Sequence, residues 1–399
     1  MATYAMFPSP MTGHVNPTLA IAGELTRRDH EVTYYLPEEF RAQVEAVGAR
    51  LAPLRLDVAH GYLRAPDPVA RFASVPVWLT AEAERVLPQV LQELDGSRPD
   101  VVVYDMTCVW GRLLARLLPG PAAMVVGSYV GNEHFSPMRT PHYAAMKEHL
   151  ASGFAEVGAA VARINERYGL RVRAQELFAR DEQLVMVVMP RQFHPAGDTF
   201  EEPFLFLGAC LREEDGAEGA ALPGPVPGRP TVYVSFGTVV GLGDEVVDTV
   251  RAAFTDGKWQ VVMVVGDQSV DRDALPDGFT VHRSVPQLRL LSRTDVFVTH
   301  GGTNSVMEAL VHEVPMVVVA RAPEHAITAD RVAELSLGVR LDPARLTAPE
   351  LRRAVEHAAS DHGVRDALRR MGGAVRAAGG HEAAADALEK LLTGEPAAG

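Results

Sequence analysis

The sequence predicts an α/β protein made of two doubly wound halves, and three observations carry that expectation. Short Val-rich runs alternate with longer amphipathic ones along most of the chain, the mark of parallel βαβ units. The runs are apolar on consecutive residues, as in Val101-Val102-Val103-Tyr104, which suits strands covered on both faces. Residues 215–230 are half Gly and Pro, hold neither helix nor strand, and are followed by a fresh start of the same alternation.

Taken in order, Thr3–Phe7 reads as a strand, Pro17–Arg28 as a helix and Glu31–Leu36 as a second strand. After the Leu51–Leu56 region comes a helix over Pro76–Leu94, then a strand over Asp100–Tyr104, a helix over Trp110–Leu118 and a strand over Ala122–Val126. Beyond the Gly/Pro stretch, Thr231–Ser235, Trp259–Val265, Phe279–His282, Asp295–Thr299 and Pro315–Val319 read as strands. Asp244–Phe254 and Thr303–Val311 read as helices among them, and Thr347–Leu392 as helices at the C-terminus. The expected division is 1–214, a linker at 215–230, 231–375, and a terminal helix and tail at 376–399 packing back on the first domain.

Composition narrows the function classes. The 399 residues suit two domains, and 47% hydrophobic with 22% charged residues is ordinary globular usage. A net charge of −13 argues against nucleic acid and anionic membranes as partners, both of which want a basic surface. Cys108 and Cys210 are far apart, so neither a disulfide scaffold nor a zinc ribbon is expected. The N-terminus has no signal-peptide pattern, and no apolar run reaches the roughly 18 residues that span a bilayer. The expectation is a cytoplasmic protein, monomeric or a weak homodimer.

In a sheet ordered 3-2-1-4-5, strands one and four are neighbours, and ligands bind at their carboxyl ends. His14 lies in the turn leaving the first strand, and Asp105 follows the fourth. The topology therefore brings an imidazole and a carboxylate together. A carboxylate on one ring nitrogen fixes the tautomer and raises the basicity of the other, which suits a base taking a proton from a hydroxyl. Singly, each residue reads as a turn or capping group; the pairing at the switch point is what points to catalysis.

The second half repeats the pattern. Ser235-Phe236-Gly237-Thr238 leaves its first strand, and His300-Gly301-Gly302-Thr303-Asn304-Ser305 leaves the Asp295–Thr299 strand. Two glycines expose backbone amides, and a helix opens directly after them, a combination that binds phosphate without basic side chains. His300 offers a further donor, and Glu308 sits one turn on, placed for sugar hydroxyls. Asp271-Arg272-Asp273 matches the short Asp-x-Asp pattern of metal-dependent sugar transferases but has no supporting ligand cluster, so a solvated turn is expected.

On these residues the chain resembles the family 1 glycosyltransferases of the two-domain GT-B fold, in the bacterial macrolide and natural-product branch. The motifs are Gly13-His14-Val15-Asn16-Pro17-Thr18, Tyr104-Asp105, Val234–Thr238, Ser284-Val285-Pro286-Gln287, His300–Ala309 and Ala320–His325, in order over nearly the whole chain. The resemblance implies that the first half binds a hydrophobic acceptor such as a macrolide, polyketide or flavonoid, and that the second binds a UDP- or TDP-sugar across a cleft. It implies inverting transfer with His14 as base and Asp105 as its partner, and no metal or cofactor beyond the sugar donor.

Position by position, it implies that Val285 and Gln287 meet the base and ribose. Thr303 and Ser305 would meet the phosphates with His300, Gly302 and Asn304, and Glu308 the ribose. Ser235, Gly237 and Thr238 line the approach to the donor, and Glu324 and His325 read the sugar. Ser284 stands where many relatives carry a stacking Trp, and His325 where the family carries Gln. Met11, Phe72, Trp78, Ser128, Phe135 and Met138 are the apolar-pocket residues for the acceptor, with core packing the competing role for Phe72 and Trp78. Two other readings stand beside this one: a nucleotide-sugar epimerase or hydrolase, and a non-catalytic nucleotide-sugar-binding protein.

Overall fold

The computed structural model describes residues 1–56, 74–96, 98–212, 222, 224, 226–237, 243–271 and 273–394. Much of the expected linker, together with Phe72, Thr238 and Arg272, lies outside the described residues. The chain divides into two compact units. The first comprises Met1–Pro190, Asp198–Arg212 and the chain from Ala378 onward; the second comprises Arg191–Gly197 and Glu213–Ala377.

The first unit is a seven-stranded parallel sheet in the order β3-β2-β1-β4-β5-β6-β7. Its strands are β1 (Thr3–Phe7), β2 (Glu31–Leu36), β3 (Arg50–Pro53), β4 (Val101–Asp105), β5 (Ala122–Val126), β6 (Leu184–Val187) and β7 (Phe204–Phe206). Helices α1 (Thr12–Arg27), α2 (Arg41–Glu45), α3 (Val75–Leu94), α4 (Val109–Leu117) and α5 (Lys147–Tyr168) connect them. β4 and β5 are buried along their whole length. That is why their sequence is continuously apolar rather than alternating. At β4 the one exception is Asp105, the last residue, only 1% exposed.

The second unit is a six-stranded sheet in the order β10-β9-β8-β11-β12-β13, also parallel throughout. It contains β8 (Thr231–Ser235), β9 (Gln260–Val264), β10 (Phe279–His282), β11 (Val296–Thr299), β12 (Met316–Val319) and β13 (Gly338–Leu341). Its helices are α6 (Asp244–Ala253), α7 (Gln287–Leu291), α8 (Thr303–Val311), α9 (Pro323–Glu334), α10 (Ala348–Ser360) and α11 (His362–Ala377). Val232, Val234, Val261, Val298 and Val317 of the strands share one core with Leu351 and Val355 of α10.

The final helix, α12 (Gly380–Thr393), belongs to the first unit. Ala384, Ala385 and Leu388 enter the same core as Leu19 and Ile21 of α1. Arg28 at the end of α1 ties it down through Asp386 at 2.6 Å and Glu389 at 2.8 Å, and His30 adds a second contact to Glu389. Among the described residues, no helix is long and apolar enough to cross a membrane.

One boundary differs from the sequence expectation in a way that moves the candidate base His14. The first helix begins at Thr12, not at Pro17, which lies inside it. A proline inside a helix lacks the N–H of an interior position, so the sequence reads as a start there. Instead the Met11 carbonyl accepts from both His14 and Val15 N–H groups and closes a helical turn ahead of the proline. His14 therefore stands on the first turn of α1 rather than in a loop.

Candidate active site

The register of the first sheet places Phe7 of β1 opposite Tyr104 of β4, so both strands leave the sheet side by side. His14, held on the first turn of α1, reaches Asp105 with Nδ1 2.8 Å from Oδ2. The His14 side chain is 25% exposed and that of Asp105 1%, so the ring meets solvent while its carboxylate does not. The other Asp105 oxygen accepts from the Thr107 N–H at 2.8 Å and the Thr107 hydroxyl at 2.5 Å. Ser9 Oγ lies 2.5 Å from Thr107 Oγ1 and extends the chain of contacts back to the loop after β1.

These contacts decide the charge on the carboxylate. Burial alone would push the Asp105 carboxyl up. The charge of His14 and the hydrogen bonds from His14 and Thr107 outweigh it and hold Asp105 below the ordinary aspartate value. Its negative charge also reaches Arg180, whose guanidinium burial draws down to about 10 while Asp105 pushes it back. Thr107 and Ser9 were not singled out by sequence, although Asp105-x-Thr107 is the spacing of an Asx turn.

The expected acceptor residues are distributed around the same end of the first sheet. Asp105 pairs with Val125, so Ser128, just past β5, follows from the neighbouring strand and is buried. Phe135 lies farther along that loop, edge-on to Tyr129 with 6.5 Å between ring centroids. The Asn132 carboxamide fixes the loop, accepting from the His134 and Phe135 N–H groups and donating to Thr199. Met138 is 41% exposed, an unusual setting for a large apolar side chain. Met11 precedes α1 and is half-buried, as is Trp78 in the first turn of α3.

In the second unit, three loops leave the carboxyl edge side by side, because Ser235 pairs with Thr299 and Thr299 with Val318. His300 sits at their centre. Its ring donates to the Ser235 carbonyl and is packed so closely that a Cβ on Gly302 would come within 2.7 Å of Nε2. A Cβ on Gly237, which has φ +78°, would come within 3.1 Å of the same ring. The His300 ring by itself leaves no room for a side chain at either glycine.

Gly302 caps α8, and Thr303, Asn304 and Ser305 form its first turn. Thr303 is buried; Asn304, Ser305 and Glu308 are half-buried. Val285 is half-buried and Ser284 exposed. Gln287, at the start of α7, uses its whole amide within the protein. Tyr233 Oη donates to its Oε1 at 2.7 Å, and its Nε2 donates to Ser305 Oγ at 3.1 Å and to Glu308. This side chain thus orients Ser305 and Glu308, a role that sequence spacing alone did not reveal.

Glu324 and His325 fall in the first turn of α9, after Pro323. The His325 ring stands edge-on to His300, 4.5 Å between centroids and 87° between planes. Burial draws His300 down to about 4, opposed by its bond to the Ser235 carbonyl and assisted by the Arg321 charge. Burial, with the His300 charge adding to it, draws His325 down to about 3. Both rings are neutral near pH 7. At the polar loop, Asp271 Oδ1 accepts from the Asp273 N–H at 3.1 Å, the geometry of a turn. Among the described residues no group of three or more His, Cys, Asp and Glu side chains is arranged as a metal site.

Known proteins match the chain along nearly its whole length. Residues 250–390 match the family model described as "Erythromycin biosynthesis protein CIII-like, C-terminal domain". The chain is 34% identical to an NDP-glycosyltransferase of Bacillus licheniformis, over 97% of both chains. It is 35% identical to the demethyllactenocin mycarosyltransferase of Streptomyces fradiae, over 98% of this chain and 87% of that one. Among solved structures, the glycotransferase of kitacinnamycin superposes with a TM-score of 0.85 at 29% identity, over 98% of this chain and 99% of the other. With two GT-B sheets and relatives matched end to end, the chain belongs to the family 1 bacterial natural-product glycosyltransferases.

Proposed function

We propose that this protein is an inverting O-glycosyltransferase that moves a sugar from a nucleoside diphosphate sugar, UDP- or TDP-linked, to a hydroxyl of a hydrophobic natural product. The observation that carries the reading is the contact of His14 Nδ1 with Asp105 Oδ2 at 2.8 Å. A carboxylate that accepts from Nδ1–H places the basic lone pair of the ring on Nε2, and the His14 side chain is partly exposed. The relatives support the two ends of the reaction: an NDP-glycosyltransferase the donor, and a demethyllactenocin mycarosyltransferase the acceptor class.

In the proposed step, the acceptor oxygen attacks the anomeric carbon as its proton passes to His14 Nε2. The bond from that carbon to the diphosphate breaks on the opposite face, and its electron pair leaves with the phosphate oxygen. One displacement inverts the configuration. Asp105 offsets the charge that develops on the imidazole, and Thr107 keeps the carboxylate aimed. The diphosphate charge falls on the amides at the start of α8, with the Thr303 and Ser305 hydroxyls as donors and the neutral His300 ring packed beside them. Glu308, held by Gln287, takes ribose hydroxyls, while Glu324 and His325 read the sugar. No step requires a metal. Ser128, Met11, Trp78, Phe135 and Met138 line the acceptor side.

Mass spectrometry of macrolide and phenolic acceptors incubated with UDP- and TDP-sugars tests the proposal. The expected result is a mass gain of one sugar residue for at least one pair. Sugar release without an acceptor adduct would point to a hydrolase instead.

A further inference from the structure

His300 and His325 bring uncharged rings to the donor loops, whereas a departing nucleoside diphosphate gains a full negative charge. Arg321 supplies a cation at that place. It occupies the turn between β12 and α9, and its guanidinium carbon lies 5.3 Å over the ring of Phe236. Phe236 is 1% exposed, so the platform is fixed, and its ring stacks on His300 at 6.3 Å and 29°. Arg321 itself is exposed, so the charge sits at the solvent side of this stack. The three groups come from three adjacent strand ends, β8, β11 and β12, which the sheet register forces into one row. The Arg321 charge is felt at the His300 ring, where it opposes protonation.

We infer that Arg321 is a further donor-binding residue, a guanidinium poised on the Phe236 face beside His300 to take the charge of the diphosphate as the sugar departs. The chemistry of the group fits the task. A guanidinium keeps its charge at any working pH and presents parallel N–H donors that match phosphate oxygens. Stacking on a buried aromatic ring limits the conformations it must give up on binding. It neither gives nor takes a proton, so the proton balance of the transfer is unchanged. The inference rests on the donor assignment proposed above and extends it to a residue whose role the Gly-Gly-Thr loop does not reveal.

Calorimetric titration of the full chain with UDP, TDP, uridine and thymidine tests it, comparing wild type with Arg321→Ala and Arg321→Lys. The expected result for Arg321→Ala is about a 10- to 100-fold loss of UDP or TDP affinity, with nucleoside affinity within about twofold of wild type. Arg321→Lys, which keeps charge but not the fork, should fall between them. Unchanged diphosphate affinity in Arg321→Ala would overturn the inference while leaving the donor assignment intact. Equal loss of nucleoside and diphosphate would mean a structural role and overturn it too. Failure of the wild-type protein to bind either diphosphate would overturn the donor assignment itself, and this inference with it.

Discussion

The ring of His325 stands edge-on against the ring of His300, each buried at Nδ1 and each held neutral by its surroundings. An unfolded histidine takes its proton near pH 6.5, whereas these rings take theirs only near 4 and 3 in the folded chain. Between those values the unfolded state binds more protons, so stability is full above pH 6.5 and falls as the pH drops toward 4. Thermal unfolding followed from pH 7 to pH 4 should show a falling midpoint. His325→Gln should remove part of that slope, worth on the order of 1–3 kcal/mol, or several degrees. An unchanged slope would show that the His325 ring does not set it.

Asp105→Asn should lower kcat by about 10²- to 10⁴-fold while leaving the acceptor KM within a few fold, because orientation and charge compensation matter in the transition state. Thr107→Val removes the hydroxyl that donates to Asp105 Oδ1 and should cost roughly tenfold in kcat. Steady-state kinetics read both. A loss confined to KM would count against the assigned role.

Gly302→Ala should loosen donor binding at least about tenfold and lower the melting temperature by a few degrees, since the new Cβ would press on the buried His300 ring. Gly301→Ala should reduce both. Its φ of +89° strains any side chain, and a Cβ there would come within 2.8 Å of Val318 Cγ1. UDP calorimetry beside thermal melts reads both.

The strand of Asp105 is anchored from behind by a buried polar network. Arg112, 2% exposed, donates to Tyr104 Oη at 3.2 Å, to the Ala179 carbonyl at 3.1 Å and to Asp181. Tyr104 Oη in turn donates to the buried Glu182 at 2.6 Å. Arg112→Ala removes the buried one of the two guanidiniums that face Glu182, leaving Arg116, and takes the donor from Tyr104 Oη and the Ala179 carbonyl; it should cost about 2–4 kcal/mol in urea unfolding. Asp181→Ala, removing a carboxylate that is 53% exposed, should cost about 1 kcal/mol or less. Similar costs for the two would contradict this account of the network.

Much of the fold was legible because buried parallel strands leave a continuous apolar signature. Ala122–Val126, Thr231–Ser235 and Phe279–His282 stand where the sequence puts them. The meeting of His14 and Asp105 was legible for a topological reason: first and fourth strands are neighbours in a doubly wound sheet. What sequence did not reveal depends on tertiary packing. β6 and β7 have four and three residues, too short to carry a period. The Arg321–Phe236–His300 stack joins residues from three loops, and nothing local in any of them announces the others. The amide of Gln287 looked available in the sequence; only the structure shows it committed to Tyr233, Ser305 and Glu308.

The proposed base for sugar transfer is His14. Its most direct test is His14→Ala, with initial rates of glycoside formation and UDP or TDP affinity measured on the same preparation. Transfer to an unactivated hydroxyl should fall by at least about 10³-fold, with diphosphate affinity within about twofold of wild type. Transfer at the wild-type rate, or an equal loss of diphosphate binding, would contradict that role.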